Sequence, residues 1–545
     1  MWPSRTCFIL SSLIVLLACC SGTTDVPSTP VGKLKILGIF GHLGKSHFDV
    51  FKPLLEELAR RGHDLTVISY FPRTEKAIAE EPLPNYKDIK LTAENYGVFV
   101  NVVDLKLIDH SFVRIFKELY MLRFMASVAC EAGLKSPEVK ALIDSGQKFD
   151  LVMTENFNTN CFMALVHRLN APFLEITTHQ LMPWAVDQLA ISNAASYIPA
   201  MFAHVPRPMS FLERTWNMAV VWIATTAFDT VFHWKDQAIA EETYGPRLPD
   251  VKEISKGMSL MMVNTHYSLH GARPYPPNVI EVGGLHIPRK PNPLPDDIAE
   301  FLDNAHEGVL YFNLGSMVKM SSVPEEKLQV LLSVLGSLPR KVIWKWETEE
   351  LPHKPSNVLV KKWLPQFDIL AHPNVKCYFG HGGLLGLSEG VFNGVPMILM
   401  PLYGDQYTNA IAAQARGAAL LLEYEHLNER TLRHALDELF NNTRYFLSAA
   451  PFVGHCILDR PFTPVETAVW WTEYAARADN LPYLRSEATK MPWWQRELAD
   501  VTVFLLAALA LALYAVYSGV SHLLSRGCCI GSKANVEARR RAFSS

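Results

Sequence analysis

The chain is expected to be an α/β protein of two halves, each an open sheet of parallel strands, facing one another across a cleft, with one membrane-spanning helix near the C-terminus. Three observations predict this. From residue 35 onward, apolar runs of strand length alternate with stretches of helical spacing. A second such series begins near Val279, after an aromatic-rich interruption. The 20 residues Val501 to Val520 carry no charge, enough to cross a bilayer as a helix.

Taken in order, Met1 to Arg5 holds one basic residue, Cys7 to Cys20 is an apolar run too short for a bilayer span, and Ser21-Gly22 supplies small residues. Residues 1–22 therefore read as a cleaved signal peptide rather than an anchor. Lys35 to Phe40 is a buried-strand run, followed by a Gly-rich loop from Gly41 to Ser46. Phe51, Leu54, Leu55 and Leu58 place a helix over Phe48 to Arg61, Gly62-His63 ends it, and Asp64 to Ser69 is the next strand. Phe149 to Met153 and Ala171 to Thr177 read as further parallel strands with a helix between them. Met182 to Lys256 shows no such alternation and reads as helices that line an apolar pocket or form packed core.

Val279-Ile280-Glu281-Val282-Gly283-Gly284 opens the second series, continued by Gly308 to Asn313, Lys341 to Trp346, Val358 to Lys361, Val375 to Phe379 and Pro396 to Met400. The Pro-rich stretch Arg289 to Pro295 suits a linker. The halves are thus set at 23–280 and 281–480, with a juxtamembrane segment over 481–500, the span over 501–520 and a tail over 521–545. Trp493 and Trp494 precede the span, where aromatic rings favour the interface. Arg526, Lys533, Arg539, Arg540 and Arg541 against Glu537 make the tail cytoplasmic by the positive-inside rule, which puts the body across the membrane.

Composition narrows the function. At 545 residues, with 49% hydrophobic and 19% charged residues, the chain supports two or three packed domains and excludes disorder. A net charge of −3 argues against a nucleic-acid binder, which needs a basic excess. Apolar runs confined to the two ends exclude a polytopic transporter. Of 9 cysteines, Cys130, Cys161, Cys377 and Cys456 lie in the body without metal-ligand spacing, so a disulfide-dense scaffold is excluded. Cys528 and Cys529 in the tail suit palmitoylation or are there by chance. Asn441-Asn442-Thr443 is a glycosylation sequon, with Asn441 the acceptor.

The densest signal is Trp363-Leu364-Pro365-Gln366, Phe379-Gly380-His381-Gly382-Gly383, Glu389, and Pro401-Leu402-Tyr403-Gly404-Asp405-Gln406. A strand running into a Gly-rich turn and then a helix near Leu384 presents free N–H groups, and with the His381 imidazole these suit a pyrophosphate. Glu389 on that helix can accept both hydroxyls of a ribose. Trp363 offers a ring face to a base, Gln366 an amide, and Asp405-Gln406 groups for sugar hydroxyls.

At this spacing the stretch Trp363 to Gln406 resembles the signature of the membrane-bound animal UDP-glycosyltransferases, the family that includes the UDP-glucuronosyltransferases. The resemblance spans nearly the whole chain. It implies a GT-B fold of two Rossmann-like domains, an N-terminal acceptor domain (23–280) and a C-terminal UDP-sugar domain (281–480). It further implies that Trp363 stacks on uracil and that Gln366 contacts base or ribose. His381 with the Gly382-Gly383 turn meets the diphosphate, Glu389 the ribose, and Asp405 and Gln406 the sugar. Ser316 looks like part of the loop touching the diphosphate. Many members have Asn where Leu385 stands and Ser where Asn313 stands; because the phosphate cradle is largely backbone, Leu385 should weaken it little.

His47 in Ser46-His47 matches the family's catalytic base, with His42 the decoy five residues earlier. A neutral imidazole there can take a proton from an acceptor hydroxyl. The family's partner carboxylate is an Asp at a strand end; Glu155 holds that position here, to orient His47 and stabilise the imidazolium. No Asp-x-Asp pair occurs, and the expectation is inverting transfer with neither metal nor cofactor, UDP-glucose or another UDP-hexose serving as co-substrate.

Glucuronate-using relatives tend to carry Arg where Asn264 stands, so Asn264 favours a neutral hexose; Gln406 in place of His argues against galactose. The acceptor is expected to be a small lipophile with a hydroxyl, as suits a detoxifying enzyme. Residence in the endoplasmic reticulum membrane, single-pass and type I with a lumenal body, is implied by resemblance, although the tail lacks a dilysine signal. A homo-oligomer is possible. The rivals are glucuronosyl transfer, transfer to lipid or protein, and a non-catalytic protein that sequesters lipophiles.

Overall fold

The computed structural model describes residues 32–542 except 94–95, 109–110, 112, 349, 443–453, 456 and 479–480, and only the backbone beyond residue 524. The expected signal peptide (1–22), Thr443 of the sequon, Cys456 and the side chains of the basic tail lie outside the described residues. The chain divides into two compact units, the first ending at Arg485 and the second running from Ser486.

The first unit opens with β1 (Lys35–Phe40), α1 (Lys45–Arg60), β2 (Asp64–Ser69), β3 (Tyr86–Lys90), β4 (Val103–Asp104), α2 (Arg114–Leu134), β5 (Leu151–Glu155) and β6 (Phe173–Thr177). After a helical stretch come β7 (Met261–Val263) and β8 (Val279–Glu281). Then follow β9 (Val309–Asn313), β10 (Val318–Lys319), β11 (Lys341–Lys345), β12 (Val358–Lys361), β13 (Val375–Gly380), α3 (Leu384–Phe392), β14 (Met397–Leu399), α4 (Gln406–Ala415), β15 (Ala419–Leu421) and α5 (Pro464–Arg477).

Among the described residues two large sheets and a two-stranded one, β4 with β10, result, all parallel. The first has the order β3-β2-β1-β5-β6-β7-β8 and the second β12-β11-β9-β13-β14-β15. Parallel strands are covered on both faces, which explains their near-continuous apolar runs; β9, for example, is buried from Val309 to Phe312. The edge strands β3 and β15 escape sequence reading for the converse reason. Only Ile89 of β3 is buried, and β15 is three residues long.

Strand order reverses between β1 and β5 in one sheet and between β9 and β13 in the other. Crevices for ligands open at such switch points, beyond the C-terminal strand ends.

Two expectations need correction. Strand β8 pairs with β7, Ile280 opposite Met262, so it closes the first sheet instead of opening the second. A boundary at 280 would cut that strand, and the chain crosses over beyond Gly284. Helix α5 also departs from the 281–480 assignment. Its Ala468, Val469 and Ala475 bury against Phe48, Phe51 and Leu55 of α1 in the core of the first half, and His63 Nε2 meets Glu473 Oε1 at 3.2 Å. The apolar stripe of α5 covers a face of the first half that would otherwise be wet.

Between Met182 and Lys256 the helices put one side into packed core and leave Phe211, Leu212, Trp222 and Trp234 exposed on the other. Trp184 is fully buried and stacks on Phe228 with 4.7 Å between centroids. Cys130 of α2 and Cys161 form a disulfide, and Cys377 is free and buried. The second unit carries α6 (Ala499–Ala542). Its 26 residues Ala499–Leu524, which contain an 18-residue stretch of mean hydropathy 2.2, are long and apolar enough to cross a membrane.

Candidate active site

A cleft of about 630 Å³ lies where the two switch points face each other, within the size range of small-molecule sites. One wall is built from the residues following β1 and β6, the other from those following β9, β11, β12, β13 and β14.

On the first wall, α1 begins at Lys45 and carries His47 in its opening turn. Glu155 is the last residue of β5, the neighbour of β1 across the switch point. Its Oε1 lies 2.5 Å from His47 Nδ1. Thr178 Oγ1 is 3.3 Å from the same nitrogen, so Nε2 is the nitrogen left for chemistry. The ring is packed between His42, stacked with centroids 4.0 Å apart, and Phe157 at 4.7 Å. Burial pushes the His47 imidazole down and the Glu155 carboxyl up, because a low-dielectric site disfavours either charged form. His42 accepts the Gly44 N–H at Nδ1, 2.9 Å away, and does not line the cleft. It acts as packing for His47.

On the second wall, Gly382 has φ +83°, a left-handed conformation, and a Cβ there would lie 2.8 Å from the Gln406 carbonyl oxygen. The His381 ring is gripped by glycines: a Cβ on Gly383 would stand 2.4 Å from its Nε2, and one on Gly315 2.7 Å from the same atom. Only a bare backbone lets this imidazole lie so close to both turns. His381 is lowered to about 4 by burial and by the nearby Lys345 ammonium, which keeps it neutral. Lys345 is buried and ties its Nζ to the Gly315 carbonyl at 2.9 Å.

The ribose end is a hydrogen-bonded chain. Asn313 Nδ2 donates to Gln366 Oε1 at 2.7 Å, and Gln366 Nε2 donates to Glu389 Oε2 at 2.6 Å. Burial raises Glu389 to about 7. Trp363 stands 60% exposed at the mouth, with the Lys45 ammonium over its ring, 5.8 Å from the centroid. At the far end, Asp405 accepts from Asn409 Nδ2 at 2.7 Å, and Gln406 Oε1 accepts from the Leu402 N–H at 2.9 Å.

The cleft thus gathers His47, Ser316, Trp363, Gln366, His381, Gly383, Glu389, Asp405 and Gln406. Glu155 stands directly behind His47, and Gly382 sits inside the turn. Asn264 is different and corrects the expectation placed on it. It is 1% exposed and does not line the cleft. Its Nδ2 donates to the Thr178 carbonyl at 3.0 Å and its Oδ1 accepts from the Gly284 N–H at 3.2 Å. Both ends of the amide serve the backbone, so the donor preference drawn from it has no contact behind it.

The family described as "UDP-glucoronosyl and UDP-glucosyl transferase" matches residues 39–534. The chain belongs to this family. It is 36% identical to UDP-glycosyltransferase UGT5 of Dactylopius coccus, covering 91% of this chain and 93% of the relative. It is 32% identical to UDP-glucosyltransferase 2 of the same insect over 87% and 90%. Rat UDP-glucuronosyltransferase 1A7 is 28% identical over 95% and 99%. Among solved structures, the calicheamicin glycosyltransferase CalG4 superposes with a TM-score of 0.55 at 20% identity, over 82% of this chain and 99% of that one. The architecture is the GT-B fold, and the protein is a UDP-glycosyltransferase, moving a sugar from a UDP-sugar to an acceptor.

Among the lining residues given no role from the sequence are Thr178, His179, Asn313 and Lys345. A signal existed for each, since all four stand at or just beyond the C-terminal end of a strand (β6, β9 or β11). That is the edge from which α/β sites are built.

Proposed function

We propose that this protein transfers a neutral hexose, glucose foremost, from UDP to a hydroxyl of a small lipophile, by inverting single displacement with His47 as base. The observation that carries this is the placement of an uncharged, carboxylate-backed imidazole across one cleft from a glycine-lined diphosphate cradle. The acceptor hydroxyl would give its proton to His47 Nε2 as its oxygen attacks the anomeric carbon. Glu155 holds the Nδ1 proton and balances the imidazolium that forms. The bond from the anomeric carbon to the diphosphate oxygen breaks on the opposite face. The N-terminus of α3, His381 and the Lys345 ammonium would stabilise the charge left on the diphosphate, with no catalytic metal invoked. Trp363 would stack on the base, Gln366 and Glu389 take the ribose, and Asp405 and Gln406 the sugar.

A neutral sugar is favoured because the sugar end offers Asp405, not a cation. Among the described lining residues the lysines are Lys45, paired with Asp49 at 2.6 Å, and Lys345, tied to Gly315. A glucuronate carboxylate beside Asp405 would be buried without a partner, which is costly. The relative named UDP-glucosyltransferase 2 supports the same choice, while the rat glucuronosyltransferase keeps glucuronate as the second reading. A lipophilic acceptor fits Phe157 beside His47. The Cys130–Cys161 disulfide suits an oxidising lumen. With the expected signal peptide, α6 and the basic tail, it supports a type I protein of the endoplasmic reticulum, with Asn441 a glycosylation site.

The test is UDP release by membranes carrying wild type or His47→Ala, given UDP-glucose or UDP-glucuronate with a panel of phenols and steroids. Acceptor-dependent release from UDP-glucose, lost in the variant, is expected. Release from UDP-glucuronate alone would overturn the donor, and turnover surviving in the variant would overturn the base.

A further inference from the structure

We propose that residues 97–108 form a strap that locks the diphosphate loop to the catalytic-histidine loop, with Asn101 and Leu105 as positioning residues. The inference rests on the cleft being the UDP-sugar site.

The segment plants Phe99 in the first half, and Leu105 with Ile108 in the second. Phe99 is buried in the core of the first half and its N–H donates to the Leu43 carbonyl at 3.0 Å, in the loop that leads into His47. Its ring lies edge-on to His42, 6.3 Å between centroids, and His42 in turn stacks on His47. Leu105 is 2% exposed in the core of the second half, among Leu314, Val318 and Met320. Its N–H donates to Ser322 Oγ at 2.8 Å, and its carbonyl accepts from the Tyr424 hydroxyl at 3.3 Å.

Between these anchors the backbone pairs with the diphosphate loop itself. Asn101 N–H donates to the Ser316 carbonyl at 2.9 Å, and Val102 and Val103 N–H both donate to the Met317 carbonyl, at 2.8 and 2.9 Å. Strand β4 then runs parallel to β10, Val103 opposite Val318. Asn101 sits at φ 52°, the left-handed region that Asn tolerates better than most residues, and this directs three successive N–H groups at two carbonyls. Because a trans peptide sets its C=O and N–H on opposite sides, holding the Ser316 carbonyl to the strap turns the Met317 N–H away from it. Ser316 and Met317 both line the cleft. One short segment therefore fixes the loop that meets the donor's diphosphate and buttresses the turn that aims the base. A UDP-sugar that tightens the first would tighten the second, so donor binding stiffens the turn that carries the base.

The experiment is hydrogen–deuterium exchange on the full chain in detergent, with and without UDP, for wild type, Leu105→Ala, Leu105→Met and Tyr424→Phe, alongside steady-state kinetics. UDP is expected to slow exchange at 101–103 and also at 43–47 in wild type. Leu105→Ala should abolish the slowing at 43–47, raise the KM for UDP-sugar and lower kcat, each by about fivefold or more. Its acceptor KM should stay within about twofold. Leu105→Met should recover both parameters. Tyr424→Phe, which deletes one hydroxyl and leaves the core filled, should move them the same way by less, and it decides the matter if Leu105→Ala fails to fold. UDP slowing exchange at 315–317 without any effect at 43–47, or Tyr424→Phe and Leu105→Ala both matching wild type, would overturn the strap. Since UDP alone is the exchange probe, a wild type without transferase activity would sink the catalytic reading and still leave the strap decided.

Discussion

Glu155 Oε1 reaches to 2.5 Å of His47 Nδ1 from the end of the neighbouring strand. The longer acid spans the gap that an aspartate would have to cross with one methylene fewer. Its reach fixes the ring with Nδ1 inward, and Thr178 Oγ1 at 3.3 Å reinforces that pose. A neutral, oriented imidazole with a single open nitrogen is what proton abstraction requires.

His47→Ala should lower kcat by about 10³-fold, in the range found for a general base, and Glu155→Gln by about 10²-fold or more. The glutamine can offer an N–H to Nδ1 and hold the wrong tautomer. Glu155→Asp should fall between wild type and Glu155→Gln, because the shorter acid no longer touches the ring. UDP affinity should stay unchanged in all three, since neither residue belongs to the donor wall. Calorimetric titration with UDP beside turnover assays checks both halves of this statement, and a joint loss of UDP binding would refute it.

How much of this was legible depended on sequence distance. The donor wall from Trp363 to Gln406 is one local run of strand, turn and helix, so its residues could be read in place. Glu155 was reachable through the resemblance, whose partner acid stands at a strand end, the edge where such sites are built. Asn313 and Lys345 were not, because their roles come from contacts across the sheet with Gln366 and Gly315. Asn264 was misread for a topological reason: β7 lies two strands from β5, away from the switch point, and there the amide faces Thr178 and Gly284. Strand β8 and helix α5 were misassigned alike. Their partners in the first half, Met262 and Phe48, are fixed by packing and leave no trace in local pattern.

UDP affinity should rise with pH and level off above about 7. Burial raises Glu389 to about 7, so below that pH the free protein holds a protonated carboxyl, which accepts ribose hydroxyls poorly. UDP binds the ionised form, and affinity is lost as pH falls through that value. The terminal phosphate of UDP ionises near pH ~6 and adds a slope of its own. Glu389→Gln keeps the phosphate slope and loses the carboxyl one. Titrations at three pH values on both proteins isolate the difference, and parallel slopes would show that Glu389 does not face the ribose.

Asn264→Arg should not convert the enzyme to glucuronate. The side chain is enclosed, and both amide atoms hold backbone groups of Thr178 and Gly284. Placing a guanidinium there leaves a buried charge without a partner and strips two hydrogen bonds, a loss of several kcal/mol. The expected result is a lower Tm and less folded protein, with the ratio of donor kcat/KM values unchanged in what remains. A folded variant with enhanced use of UDP-glucuronate would return this position to the sugar pocket.

Gly383→Ala should strike the donor and spare the fold. Its new methyl would stand 2.4 Å from His381 Nε2, so the ring must swing away from the diphosphate cradle. The position is not left-handed, and an alanine ahead of α3 adds no backbone strain. The expected outcome is a rise in the KM for UDP-sugar of about tenfold or more, the scale of one lost charge-assisted contact. The acceptor KM and the Tm should change little. Gly315→Ala crowds the same ring from the other side, with a Cβ 2.7 Å from Nε2, but it also forces a side chain into φ +89°. It should therefore lose both donor affinity and stability. The contrast separates the two demands on glycine: room for His381 at one turn, room and conformation at the other. Equal loss of Tm in both variants would show that the glycines serve the fold and not the imidazole.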